Sequence, residues 1–178
     1  MAKREIERTV QPSVLDRLTD EDPRSPADPR VTYGESLRQF KISVQRDLEW
    51  LLNTRRTADP VVEEFEELCR SLLNYGMPDI TSMSRDSVAS RKQLLRQVEE
   101  TLGIFEPRLA NVKIAMVELE GEQHRRELRF MVEATLRLDP TPEQVMFDTV
   151  LHFSSGEIDV NGAGAAGGAG GGGSKTNA

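Results

Sequence analysis

The apolar pattern of this chain changes period once, near Gly103, and that change limits the available folds more than any other feature. Before it, apolar residues recur at spacings of three and four, as in helices buried on one face. After it they recur at every second residue, as in half-buried strands. Helices first and strands second predict an α+β domain. Three N-terminal helices would pack on one face of a small antiparallel sheet formed by the C-terminal half.

In the helical half, Leu37, Phe40, Val44, Leu48 and Leu51 build one stripe. Thr32 with Glu35, or Ser36 with Gln39, has the spacing of a capping box, and Asn53 is a plausible stop. Ile42 and Trp50 lie on the opposite face, on either side of Arg46. Burial within the domain is the expectation for this pair, with an interface to another subunit as the alternative. A second helix would be capped by Asp59, with Pro60 in its first turn and Glu63 and Glu64 where the helix dipole favours acid. Val61, Val62, Phe65, Leu68, Cys69, Leu72 and Leu73 would be its buried face, and Asn74-Tyr75-Gly76 its end. A third helix would start near Ser84 or Asp86, bury Val88, Leu95, Val98 and Leu102, and stop at Gly103.

In the second half, Pro107 opens an extended segment to about Glu120, and residues 121–126 read as a polar hairpin loop. Leu128, Phe130, Val132, Ala134, Leu136 and Leu138 then alternate with Arg129, Met131, Glu133, Thr135 and Arg137. After a turn at 139–142, Val145, Phe147, Thr149, Leu151 and Phe153 form the next alternating face, and Glu157 to Val160 add a short strand. Short connections between consecutive strands imply antiparallel pairing.

The 178 residues suit one domain with tails. Residues 1–30 read as a partly extended arm, because Pro12, Pro23, Pro26 and Pro29 break any long helix. Within it, Val14, Leu15 and Leu18 share a face of a short helix, either packed on its own domain or docking a partner. Eight of the 13 glycines lie between Gly162 and Gly173. Residues 161–178 therefore read as a disordered tail outside a domain at 31–160. The run Gly162-Ala163-Gly164-Ala165-Ala166-Gly167 fits a dinucleotide-binding pattern, but low complexity explains it, since more glycine follows where a helix is needed.

Several function classes are disfavoured. The longest apolar run is Ile114 to Val117, too short to span a membrane. No apolar stretch follows the first basic residues, so a cytoplasmic chain is the expectation. A net charge of −7 argues against broad nucleic-acid binding. His124 and His152 lie at no ligand spacing to each other or to Cys69, and Cys69 sits on an apolar helix face. Thirty acidic residues guarantee chance carboxylate pairs, but nothing marks a cleft, and 5% aromatic content suggests no sugar platform. No catalytic residue, metal ligand or cofactor is therefore assigned.

One charged constellation stands out. Pro107 biases Glu106 away from helix, and in an extended segment Glu106 and Arg108 project to the same side. Taken by themselves, these residues favour a surface ion pair worth at most about 1 kcal/mol. The sharper reading is a charged clamp presented to a partner, with Arg108 giving bidentate geometry.

Three segments resemble a known family. Arg46-Asp47-Leu48-Glu49-Trp50-Leu51-Leu52-Asn53-Thr54-Arg55 is similar to the helix signature of the baseplate-wedge family shared by contractile phage tails and type VI secretion systems. Ser71-Leu72-Leu73-Asn74-Tyr75-Gly76-Met77-Pro78-Asp79 is similar to its second landmark, and Ile104-Phe105-Glu106-Pro107-Arg108-Leu109 to its third. Pro12-Ser13-Val14-Leu15-Asp16-Arg17-Leu18 resembles the type VI secretion branch more than the phage branch. The resemblance spans roughly residues 12–160 and leaves out the Gly/Ala tail.

The resemblance implies a cytoplasmic structural subunit at a baseplate docked to the inner-membrane complex. Its implied partners are the TssF–TssG wedge proteins, TssK, the VgrG spike region and the sheath proteins TssB and TssC. It makes Glu106 and Arg108 partner-contacting charges, with Pro107 aiming them, and so reverses the preference for a plain ion pair. With the arm residues Val14, Leu15 and Leu18, these are the expected contact residues. The sheath would add a strand to a sheet edge, with the segment near Glu157 to Val160 as a candidate. The alternative reading is a lysozyme-like peptidoglycan hydrolase, a label that often travels with this family.

Overall fold

The computed structural model describes residues 9–19, 24, 31–56, 65–80, 87–117 and 126–165. In order these form α1 (Val14–Leu18), α2 (Tyr33–Asn53), α3 (Glu66–Cys69), a 3₁₀ turn (Leu72–Asn74), α4 (Val88–Phe105) and four strands. The strands are β1 (Leu109–Val117), β2 (Glu127–Leu136), β3 (Glu143–His152) and β4 (Ile158–Ala165). They form one antiparallel meander in the order β1-β2-β3-β4. The expected α+β class is what the chain adopts.

The register follows from the alternation. Leu128, Phe130, Val132, Ala134 and Leu136 of β2 and Val145, Phe147, Thr149 and Leu151 of β3 are all buried. They share a face because every second residue of a strand points the same way. α2 covers this face over β4, and α4 covers it over β1. α2 contributes Phe40, Val44, Leu48, Leu51 and Leu52, and α4 contributes Leu94, Leu95, Val98 and Leu102. Burying side chains such as Phe130 and Phe147 stabilises by about 1.5–3 kcal/mol each. The α2 start is the expected capping box: Thr32 accepts from the Glu35 N–H while the Glu35 carboxylate accepts from the Thr32 N–H.

Several expectations need correction. Among the described residues two long helices, α2 and α4, pack on the sheet, where three were expected. Of the expected second helix, residues 59–64 lie outside the described residues, and the remainder is broken into α3 and the 3₁₀ turn. Phe65, Leu68, Leu72 and Leu73 are exposed there instead of forming a buried face. Ile42 and Trp50 are exposed as well. Gly103 does not stop the third helix, which runs to Phe105; the stop is Glu106, kept out of the helical region by Pro107. That helix is capped by Ser87, whereas Ser84 and Asp86 lie outside the described residues. The last strand is longer than Glu157 to Val160 and takes the first residues of the expected tail into the sheet as far as Ala165.

Two sets of hydrogen bonds fix the C-terminal half of α2, one to the segment before α4 and one to β4. After α2, Arg55 forms an isolated parallel bridge with Met77, through Met77 N–H to Thr54 O at 2.7 Å and Arg56 N–H to Met77 O at 3.0 Å. Gly76 makes this approach feasible: its φ is +102°, and a Cβ there would lie 2.3 Å from the Thr54 carbonyl oxygen. From the last residue of α2 and from its middle, Asn53 and Gln45 reach the outer edge of β4. Asn53 Oδ1 accepts from the Ile158 N–H at 2.8 Å, Asn53 Nδ2 donates to the Ile158 carbonyl at 2.8 Å, and Gln45 Nε2 donates to the Val160 carbonyl at 2.7 Å.

Candidate interaction site

The residues of the three sequence landmarks meet at the junction of α2, α4 and β1. The helix stop at Glu106 turns the chain sharply, and Leu109 N–H returns to the Glu106 carbonyl at 3.1 Å. This brings Arg108 back over Glu106 through a turn at Pro107–Arg108, and not through the extended segment expected to open at Pro107, since β1 begins only at Leu109. Arg108 Nε donates to Glu106 Oε1 at 2.6 Å, and a terminal nitrogen donates to Glu106 Oε2 at 2.5 Å. The Arg108 backbone N–H also donates to Glu106 Oε1, at 3.2 Å.

Asp47 completes the cluster. Its Oδ2 accepts from Arg108 at 2.8 Å, while its Oδ1 accepts from Arg46 at 2.8 Å. One carboxylate thus joins the turn after α4 to the middle of α2. Arg46 continues outward: it donates to Asp16 of α1 at 2.8 Å and lies over the Trp50 ring at 4.9 Å. Arg108 in turn lies over the Phe40 ring at 5.8 Å. The result is an unbroken chain of charges, Asp16–Arg46–Asp47–Arg108–Glu106, running from the arm to the turn.

Burial rises from Arg46 inward, although Asp16 at the outer end is itself only 16% exposed. The Glu106 side chain is 6% exposed, Arg108 22% and Arg46 37%. Burial alone lowers the Arg108 pKa, but hydrogen bonds and charge from Glu106 and Asp47 outweigh it and hold the guanidinium above its ordinary value. Tyr75, half-buried beside this cluster, is pushed up by burial and by the Asp47 and Glu106 carboxylates. Its ring meets Phe105 edge to face at 5.3 Å. At the outer end, burial raises the Asp16 carboxyl, yet hydrogen bonds from Ser13 and Arg46 bring it below its ordinary value.

The expected contact residues fall into two groups. Glu106 is turned inward and engages Arg108 with both oxygens, so within this chain it positions the turn. Pro107 is exposed beside it, and Arg108 is half-buried with its guanidinium reaching toward Asp47. Val14, Leu15 and Leu18 are 71%, 53% and 79% exposed. The arm is nonetheless attached: Val10 packs against the core, its N–H donates to Ser36 Oγ at 3.0 Å, and Asp16 binds Arg46. Val10, ahead of the short helix, and Asp16, within it, thus tie the arm to the domain while Val14, Leu15 and Leu18 remain exposed. Asp47 escaped the sequence reading because it lies 61 residues from Arg108.

The chemistry of an enzyme finds little support among the described residues. No group of three or more His, Cys, Asp or Glu is arranged to hold a metal ion. His152 binds Asp159 at 2.9 Å on the outer face of the sheet, and His124 lies outside the described residues. An open depression of about 390 Å³ lies between α2 and β4, with Glu49, Glu157 and Asp159 in its lining. Glu157 and Asp159 are exposed, whereas an acid catalyst for glycoside hydrolysis needs burial to raise its pKa. No described helix is long and apolar enough to cross a membrane.

A family model described as baseplate wedge protein gp25 matches residues 38–141. The matched stretch contains Asp47, Tyr75, Glu106 and Arg108, and it ends before β3. No curated protein and no solved structure gives a significant match.

Proposed function

Because the chain belongs to the gp25 baseplate wedge family, a structural and non-enzymatic one, we propose that it is the type VI secretion member, TssE. The family places it as a structural wedge component of a contractile, tail-like machine. In the proposed role it binds the TssF–TssG wedge complex in the cytoplasm, meets TssK and the VgrG spike region, and presents a sheet edge to the TssB–TssC sheath. The contact residues are Pro107 and Arg108 at the turn, aimed by Glu106, and Val14, Leu15 and Leu18 on α1.

The observation that carries this reading is the arm. Its sequence resembles the secretion branch, and its apolar residues face outward although Val10 and Asp16 bind it to the domain. Exposed apolar residues held in place suit partner docking better than core packing. The test is co-purification with TssF–TssG from the native host. Leu15→Asp with Leu18→Asp is expected to leave the melting temperature unchanged and to reduce recovery of the wedge complex at least tenfold. Arg108→Ala is expected to reduce it too. That variant leaves Glu106 buried without its cation, so its melting temperature is measured alongside. Undiminished recovery with the arm variant removes the arm from the interface, and no recovery with the unaltered chain removes the proposal.

A further inference from the structure

We infer that Asp47 is a positioning residue that couples docking of the arm to the orientation of Arg108, so that a partner meets α1 and the turn as one preformed surface. The inference deepens the proposed wedge role and rests on it for the identity of that partner. Glu106 and Arg108 belong to one turn, and their pair of hydrogen bonds, at 2.6 and 2.5 Å, closes the turn on itself. That pair does not fix the turn to another element. Asp47 does so: among the described residues it is the one side chain outside the turn that accepts from Arg108, at 2.8 Å. The donors used are Nε and one terminal nitrogen, so the other terminal nitrogen has no hydrogen-bond partner among the described residues. A guanidinium is planar and its donors form a rigid fork. Holding one edge of Arg108 therefore aims the unpaired nitrogen as well.

Asp47 is itself held from the arm. Consecutive residues of a helix point in different directions and do not face each other. Arg46 nevertheless reaches its neighbour, with Nε 3.1 Å and a terminal nitrogen 2.8 Å from Asp47 Oδ1. Two contacts keep the guanidinium there: the same terminal nitrogen donates to Asp16 of α1 at 2.8 Å, and the Trp50 ring centre lies 4.9 Å away. With the arm docked, Arg46 occupies Oδ1 and Oδ2 is left turned to Arg108. With the arm released, Arg46 loses Asp16 and with it the geometry that brings it sideways onto Asp47. The carboxylate can then rotate, and Arg108 loses a fixed partner. Docked and released arm are thus two states that differ in how firmly Arg108 is held. Such coupling is reciprocal: a partner that engages Arg108 in its held orientation also favours the docked arm.

Exchange of the Arg108 Nε–H with water, followed by nitrogen-edited NMR on the full chain, reads this coupling without any partner. Asp16 bonds Ser13 and Arg46 but neither Asp47 nor Arg108, and Asp16→Ala is expected to accelerate the exchange about fivefold, the low end for linked sites. Arg46→Gln breaks the relay at a more exposed position and is expected to do the same at an unchanged melting temperature. Asp47→Asn keeps the shape but replaces one acceptor oxygen by a donor, and in that background Asp16→Ala is expected to add nothing. A residue that only braced α2 against the turn would leave the Asp16→Ala effect in place. Should Asp47→Asn fail to fold, the Asp16→Ala, Arg46→Gln double variant serves instead, because two breaks in one relay are expected to accelerate exchange no more than either alone. An Arg108 Nε–H indifferent to both single variants overturns the coupling, as does an undiminished response in the Asp47→Asn background or a multiplicative effect of the double variant. Recovery of TssF–TssG by an unaltered chain that shows no such response overturns the coupling and leaves the wedge role standing. The response in a chain that recovers no wedge complex upholds the coupling and counts against the proposed function alone.

Discussion

The stripe of α2 and the segment from Phe65 to Leu73 look alike in sequence and end differently. Both space apolar residues at three and four. Phe40, Val44, Leu48 and Leu51 are buried under the sheet, whereas Phe65, Leu68, Leu72 and Leu73 are 39–84% exposed. The difference lies in what surrounds them. α2 runs 21 residues over a four-stranded sheet whose inner face needs covering. The second segment breaks after four helical residues, and the apolar inner face of the sheet is already covered by α2 and α4. Periodicity reveals that a face is apolar, but the rest of the molecule decides what covers it.

The largest expected effect probes the buried side of this comparison. Leu48→Ala is expected to destabilise the domain by about 2–5 kcal/mol in urea unfolding, because the surrounding helix and sheet cannot collapse into the space. A smaller loss shows that α2 is less tightly held than its burial states. Next, Glu106→Ala tests whether a buried charge behaves as core. It leaves Arg108 paired with Asp47 alone, and a loss of about 3 kcal/mol is expected from the same measurement. A loss below about 1 kcal/mol assigns the turn to the surface instead, as the residues alone suggest.

The third effect is local and reads the boundary between core and arm. Asp16 titrates below its ordinary value near 3.8 in the folded chain, so its bond to Arg46 stabilises arm docking fully above about pH 4. That contribution is lost as the pH falls further, through the lowered value. Arg46 also lies over Trp50, the only tryptophan. Acidification below about pH 4 is therefore expected to change Trp50 fluorescence before global unfolding by circular dichroism, and Asp16→Asn to abolish that early step. Coincident transitions in the unaltered chain place the arm within the same cooperative unit as the core. The smallest effect closes the comparison: Leu72→Ser, at 84% exposure, is expected to shift stability by no more than about 0.5 kcal/mol. A larger loss gives that segment an intramolecular role.

What was legible in the sequence follows the same division. Local patterns read correctly: the Thr32–Glu35 capping box, the α2 stripe, and the alternation in β2 and β3, while Glu106 and Arg108 meet across a turn and not along the extended segment expected. These depend on residues a few positions apart. What failed depends on distant ones. Asp47 as the second partner of Arg108 is set by the packing of α2 on the turn. Asn53 reads as a helix stop, yet its amide lies at the edge of a strand 105 residues later. Gly103 misled because a glycine near a helix end imitates a stop, while the proline at 107 imposes the real one. In the site, the exposed arm face was legible as apolar but its anchoring through Val10 and Asp16 was not.

The bridge between Arg55 and Met77 has an engineering consequence. It fastens the two ends of the intervening stretch to each other through backbone bonds, under the close approach that Gly76 allows. Once the ends are fixed, lengthening such a stretch costs only about 0.6 kcal/mol for each doubling. Between Arg70 and Ser71, where α3 gives way to the 3₁₀ turn, the chain therefore offers a socket. A fluorescent tag or affinity handle placed there would hang outside a closed loop, leaving α2, α4 and the sheet to fold as they do now.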